Sequence, residues 1–143
     1  MGVGVAYACV LAWFAALTVY DVRQRRLPNA LTLPGAAVVV AVATVIGRGV
    51  PALIGALALA LFYLGVHLVA PAGMGAGDVK LAIGVGALTG SFGVDAWVLA
   101  ALGAPVLTAT WAAAVAFRGR DATVPHGPSM CAAAAVAVAL VVI

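Results

Sequence analysis

Acidic side chains are scarce in this chain: four aspartates, Asp21, Asp78, Asp95 and Asp121, and no glutamate. Two of them stand where a carboxylate is costly. Asp21 directly follows the charge-free run Met1 to Tyr20, and Asp78 follows the glycine-rich stretch Pro71-Ala72-Gly73-Met74-Gly75-Ala76-Gly77. A carboxylate at a membrane edge must be paired or face a polar cavity, which makes both of them candidate functional groups. Two aspartates held close together cannot both ionise easily, so the pair shares a proton. The ionised member then takes a proton from water while the neutral one donates to a carbonyl oxygen. That is peptide hydrolysis by general acid–base catalysis, with no metal and no covalent intermediate. Gly75 and Gly77 suit the same chemistry, since a backbone without Cβ lets an extended peptide approach the carboxylate. A plainer reading stands beside each aspartate: Asp21 pairs with Arg23 or Arg25, and Asp78 is only the N-cap of a helix. Spacing alone leaves both pairs of readings open.

Other catalytic sets are missing. Without glutamate there is no H-E-x-x-H, and no G-x-S-x-G elbow occurs. The glycines before Asp78 do not continue as G-x-G-x-x-G or as a phosphate-binding loop. Cys9 and Cys131 form no C-x-x-C pair, so neither a zinc site nor a disulfide framework is indicated, and no metal is expected. Asp95 and Asp121 read as solvated loop charges. His67 reads as a packed or interface histidine rather than a ligand, and His126 as a structural residue of its turn that could approach the site.

The elements that must position the two aspartates follow from composition. Of the 143 residues, 66% are apolar and 8% charged, with a mean hydropathy of +1.25. An ordinary soluble domain carries about 25% charged residues, so a water-soluble fold, a disordered chain and a coiled coil are all excluded. At about 20 residues per crossing the length allows six or seven helices and no separate soluble domain. The net charge of +3 is too small and too scattered to suggest nucleic acid. Cutting at charges and turn residues gives six apolar helices: 1–20, 30–47, 51–69, a short one over 79–88, 96–117 kinked at Pro105, and 129–143. They form one domain, 1–143, all-α and polytopic, without repeats. The first run lacks a basic segment before it and is no cleavable signal peptide.

Six alternating spans put Arg23, Arg25, Arg26, Lys80, Arg118 and Arg120 on one side and Arg48 alone on the other. The positive-inside rule makes the first side cytoplasmic and leaves both termini outside. Trp97 reads as an outer interfacial anchor, Tyr20 and Phe117 as inner ones, and Trp13 and Trp111 as packing residues. The short fourth helix holds Gly84, Gly86 and Gly90, the last two in small-xxx-small spacing, which predicts a central element packed backbone to backbone.

At these residues the chain resembles the type IV prepilin peptidases. Asp21-Val22-Arg23-Gln24-Arg25-Arg26-Leu27-Pro28-Asn29 is similar to their first motif, D-x-R-x-x-x-[IL]-P-N. Gly75-Ala76-Gly77-Asp78-Val79-Lys80-Leu81 matches the second, G-x-G-D-x-K-L, whose core is shared with intramembrane aspartyl proteases. Pro125-His126-Gly127-Pro128 is similar to a P-x-G-P turn before the last helix, where an aromatic is common in place of His126. The resemblance spans essentially the whole chain.

It implies a multi-pass inner-membrane aspartic endopeptidase that removes the short basic leader of prepilin-like precursors at the cytoplasmic face. Asp21 and Asp78 correspond to its catalytic aspartates. Arg23, Pro28, Asn29, Lys80, Gly75, Gly77, Pro125 and Gly127 correspond to positions that shape the site. Longer members add a cytoplasmic cysteine-motif segment and methylate the new terminus with S-adenosylmethionine. The present chain lacks those cysteines, as the short Flp/Tad-type and preflagellin peptidases do, so the expectation is peptidase activity alone and no cofactor. The rival from another class is a small transporter or ion-relay subunit using Asp78 and Lys80. Against it, no charge lies within the last two helices and no inverted repeat is evident.

Overall fold

The computed structural model describes residues 2–120 and 123–143, so Met1 and the loop aspartate Asp121 lie outside the described residues. Six helices appear in it: α1 (Gly2–Gln24), α2 (Asn29–Val45), α3 (Gly49–Val69), α4 (Ala76–Phe92), α5 (Val94–Phe117) and α6 (Gly127–Val142). No strand occurs among the described residues. Three helices, α1, α3 and α5, are long and apolar enough to cross a membrane. The apolar helices α2 and α6 are shorter, with 17 and 16 residues. At 1.5 Å per residue they reach about 25 Å, below the hydrocarbon thickness of about 30 Å.

Large apolar side chains cover the outside. Ile54, Leu57, Leu61 and Phe62 of α3 and Leu102 and Val106 of α5 are each more than half exposed. Water would not tolerate so continuous an apolar surface, and a lipid environment would.

The helix buried on all sides is α4, which packs against α2, α3, α5 and α6. It runs well past the expected end near Leu88 and takes in Gly90, Ser91 and Phe92. Glycine inside a helix is unfavourable by about 1 kcal/mol relative to alanine. Here that cost is offset by closeness to α3: a Cβ on Gly86 would strike the Gly55 carbonyl oxygen, and one on Gly55 would strike that of Gly86. A Cβ on Gly90 would lie 2.8 Å from the Pro51 carbonyl oxygen. The helix ends only at Gly93, whose φ of +120° suits glycine. The hydroxyls buried in its last turns are satisfied locally, Thr89 donating to the Val85 carbonyl at 2.8 Å and Ser91 to that of Leu88 at 2.6 Å.

Other expected boundaries shift for similar reasons. Asp21 and Arg23 lie in the last turns of α1 rather than after it. The charge that closes the apolar run does not close the helix, because the Asp21 side chain is buried against α6. The stop comes at Arg25, whose φ of +52° is the left-handed conformation that terminates helices. Its N–H still bonds the Asp21 carbonyl at 3.0 Å.

Two tryptophan assignments change. Trp97 is half-buried and donates its indole N–H to the Gly55 carbonyl at 3.0 Å, so it joins α5 to α3 rather than standing free as an anchor. Trp111 is 36% exposed and lines an open groove instead of packing inside. Trp13 does pack: it lies against Gly35 and Gly84 and donates to the Leu31 carbonyl of α2 at 2.8 Å.

Candidate functional site

At one end of the bundle a cavity of about 310 Å³ is lined by Asp21, Arg25, Arg26, Leu27, Asn29, Gly75, Ala76, Gly77, Asp78 and Lys80. The two aspartates come from different helices, Asp21 from the last turns of α1 and Asp78 from the first turn of α4. Asp78 is near enough to feel the charge of Asp21.

Asp78 is not the N-cap of α4. That position belongs to Gly75, in extended conformation, and Asp78 is the third helical residue. Its carboxyl reaches back to the backbone N–H of Gly75, one half of a capping box. This ties the glycine loop to the acid. His67 holds the other side of the loop: its Nδ1–H donates to the Met74 carbonyl at 2.5 Å. The expected glycine loop is also shorter than its sequence suggests, because Gly77 is already helical. A Cβ on Gly77 would come 3.1 Å from the side chain of Leu27, so that glycine lets the segment after α1 lie close over α4.

Asp21 is buried, at 7% exposure. Its Oδ2 accepts the backbone N–H of Gly127 at 2.8 Å, at the N-terminus of α6 where the helix dipole favours an anion. A side chain at position 127 would collide with that carboxylate. Arg25, on the cavity wall, also lies within electrostatic reach of Asp21, and its guanidinium donates to the Thr123 carbonyl at 2.9 Å.

The remaining motif residues divide. Lys80 Nζ donates to Asn29 Oδ1 at 2.9 Å, bracing the start of α2 against α4 along the cavity. Pro28 sits behind this wall as the extended N-cap of α2, and its carbonyl takes the N–H groups of Leu31 and Thr32. Arg23 is exposed and does not line the cavity. Pro125 lines the neighbouring groove with Arg25, Trp111, Val115, Arg120, Thr123 and Val124.

His126 is held by two helices other than its own. Its Nε2 meets the Tyr63 hydroxyl at 2.9 Å and its Nδ1 the Thr108 hydroxyl at 2.6 Å. Burial pushes this imidazole below its ordinary range, so the ring is neutral. Tyr63 and Thr108 carried no sequence signal, each being a hydroxyl in a largely apolar helix. Arg25, Arg26 and Leu27 could have been found, since they lie between motif positions Arg23 and Pro28. Among the described residues no group of three or more His, Cys, Asp or Glu gathers as metal ligands would.

The model of the type IV leader peptidase family matches residues 8–143. The chain belongs to that family. This leader peptidase-family protein is therefore a protease, of the aspartic type in its family, and membership supports processing of pilin-type precursors. The match favours the peptidase reading over the ion-relay one. No curated protein and no solved structure matches the chain.

Proposed function

We propose that the chain is a membrane aspartic endopeptidase that cuts the short leader from Flp/Tad-type prepilin precursors at the cytoplasmic face of the inner membrane. Asp21 and Asp78 are its catalytic pair. The observation that carries this reading is the meeting of two carboxylates, from α1 and α4, on the wall of one polar cavity at the end of an apolar bundle. Water held between them loses a proton to the ionised carboxylate and attacks the scissile carbonyl carbon. The protonated carboxyl donates to the carbonyl oxygen, and the returning proton leaves with the new amine. A coupled pair titrates as a unit, so the single proton belongs to both residues.

The other motif side chains shape the site. Lys80 and Asn29 hold the α2–α4 wall, Gly75 keeps it open to an extended backbone, Gly77 lets Leu27 lie close over α4, and Pro28 aims α2. Arg23 acts from the exposed rim, while Pro125 and Gly127 present the N-terminus of α6. Neither metal nor S-adenosylmethionine takes part. The chain crosses the membrane six times with both termini outside, which puts the cavity and six of the seven basic residues on the cytoplasmic side.

The test uses the full chain in detergent or lipid with a pilin precursor. Wild type shortens the precursor at its leader, and the mature product carries no added methyl mass when S-adenosylmethionine is supplied. Asp21→Asn and Asp78→Asn each abolish the cut with melting behaviour retained. Full cleavage by either variant would sink the assignment of the pair.

A further inference from the structure

The close approach of Asp21 to α6 requires a glycine at position 127, because any Cβ there would strike the carboxylate. Glycine is also the residue least able to hold its own conformation. Something else must therefore fix the direction of the Gly127 N–H, and the adjacent residue is clamped on both sides. The two ring nitrogens of His126 are bonded to hydroxyls on different helices, Tyr63 of α3 and Thr108 of α5. Its ring packs on Tyr63 with centroids 5.6 Å apart, and its carbonyl accepts the first-turn N–H of Met130 at 3.1 Å. A neutral imidazole offers one donor and one acceptor, and a hydroxyl serves either, so the clamp is fully satisfied without a charge.

We propose that His126 is a positioning residue for Asp21: braced between α3 and α5, it keeps the Gly127 N–H aimed at the carboxylate and links that carboxylate, through Tyr63, to the side of the bundle bearing Asp78. The inference rests on the reading of Asp21 and Asp78 as the catalytic pair. Tyr63 is buried and within electrostatic reach of Asp78, and Gly127 touches Asp21 directly. The groups facing this region are Asp21 on α1 and Arg25 just after it, Tyr63 on α3, Asp78 on α4, Thr108 on α5 and Cys131 on α6, the last bonded to Thr18. Shape alone would be met by an aromatic ring at position 126. What the imidazole adds is two directed bonds.

The experiment compares full-length wild type with His126→Phe, His126→Gln, Thr108→Val and Tyr63→Phe on a pilin precursor across pH. Losing the clamp lets the N–H of Gly127 wander. The kcat of His126→Phe and Thr108→Val then falls about tenfold, the rate equivalent of one weakened hydrogen bond to a charged group, with KM unchanged. The acid limb of the kcat profile moves to higher pH, because a carboxylate without its donor is harder to keep ionised. His126→Gln, which keeps a donor and an acceptor, restores most of the rate and the position of the limb. Wild-type kcat and an unmoved acid limb in both His126→Phe and Thr108→Val overturn the proposal. If His126→Phe fails to fold, Thr108→Val and Tyr63→Phe carry the same comparison. Cleavage by Asp21→Asn or Asp78→Asn would defeat the catalytic pair itself. Inactive aspartate variants beside unperturbed clamp variants would defeat the positioning role alone.

Discussion

The contact between Gly127 and Asp21 shows how one missing carbon can matter to a site. The N–H at the start of α6 reaches the carboxylate at 2.8 Å only because no Cβ stands in the way. Gly127→Ala should lower cleavage at least about tenfold while shifting the melting temperature by only a few degrees, since the clash falls on one movable carboxylate. Near-normal cleavage by that variant would show that the contact is dispensable. His126 gives a second prediction at this scale. The folded protein holds the buried imidazole neutral, whereas the unfolded chain takes up a proton near its ordinary value of about 6.5. The unfolded state thus binds more protons, and native stability falls as pH drops from about 6.5 toward the lowered folded value. The melting temperature in detergent should decline more steeply between about pH 7 and 5 for wild type than for His126→Gln.

At the scale of elements, α4 is the part most exposed to failure by a single substitution. Its backbone lies against that of α3 at Gly55, Gly86 and Gly90, where the nearest neighbours are carbonyl oxygens and Cα atoms rather than flexible side-chain ends. Backbone cannot swing aside as a lysine would. Gly86→Val should therefore cost about 1–3 kcal/mol or more in stability, read as a lower melting temperature or loss of the folded species in detergent. Gly65, whose added Cβ would meet nothing, should accept alanine without loss. The Lys80–Asn29 bond belongs to the same scale, since it joins the start of α2 to the second turn of α4 rather than completing the chemistry. Lys80→Met should weaken cleavage while leaving the bundle intact, and an unchanged rate would remove Lys80 from the wall.

For the whole molecule, the distribution of charge follows from the solvent. Arg48 binds the Ser91 carbonyl at the far end of α4 from Asp78, while Arg25, Arg26 and Lys80 line the cavity. The two ends of the bundle are thus unequal in positive charge. Reporter fusions or cysteine labelling at positions 47 and 119 should place the first outside and the second inside, and the reverse pattern would overturn the proposed orientation.

Much of this architecture is legible in the order of residues. Lipid forbids charge, so the few charged positions announce helix ends, and the all-helical class with its six elements follows from apolar runs and turn residues. The two aspartates stand out for the same reason. Three things could not be read that way. The length of α4 depends on glycines finding backbone partners on α3, a contact with no local signature. The end of α1 lies beyond Asp21 because burial against α6 shelters the carboxylate. And the setting of His126 depends on hydroxyls from α3 and α5 that only folding brings to its two nitrogens. Chain order determined which groups are available and roughly where each helix runs. Tertiary structure decided which of them meet, because helix packing joins residues far apart in sequence and nothing in a local pattern records its partner.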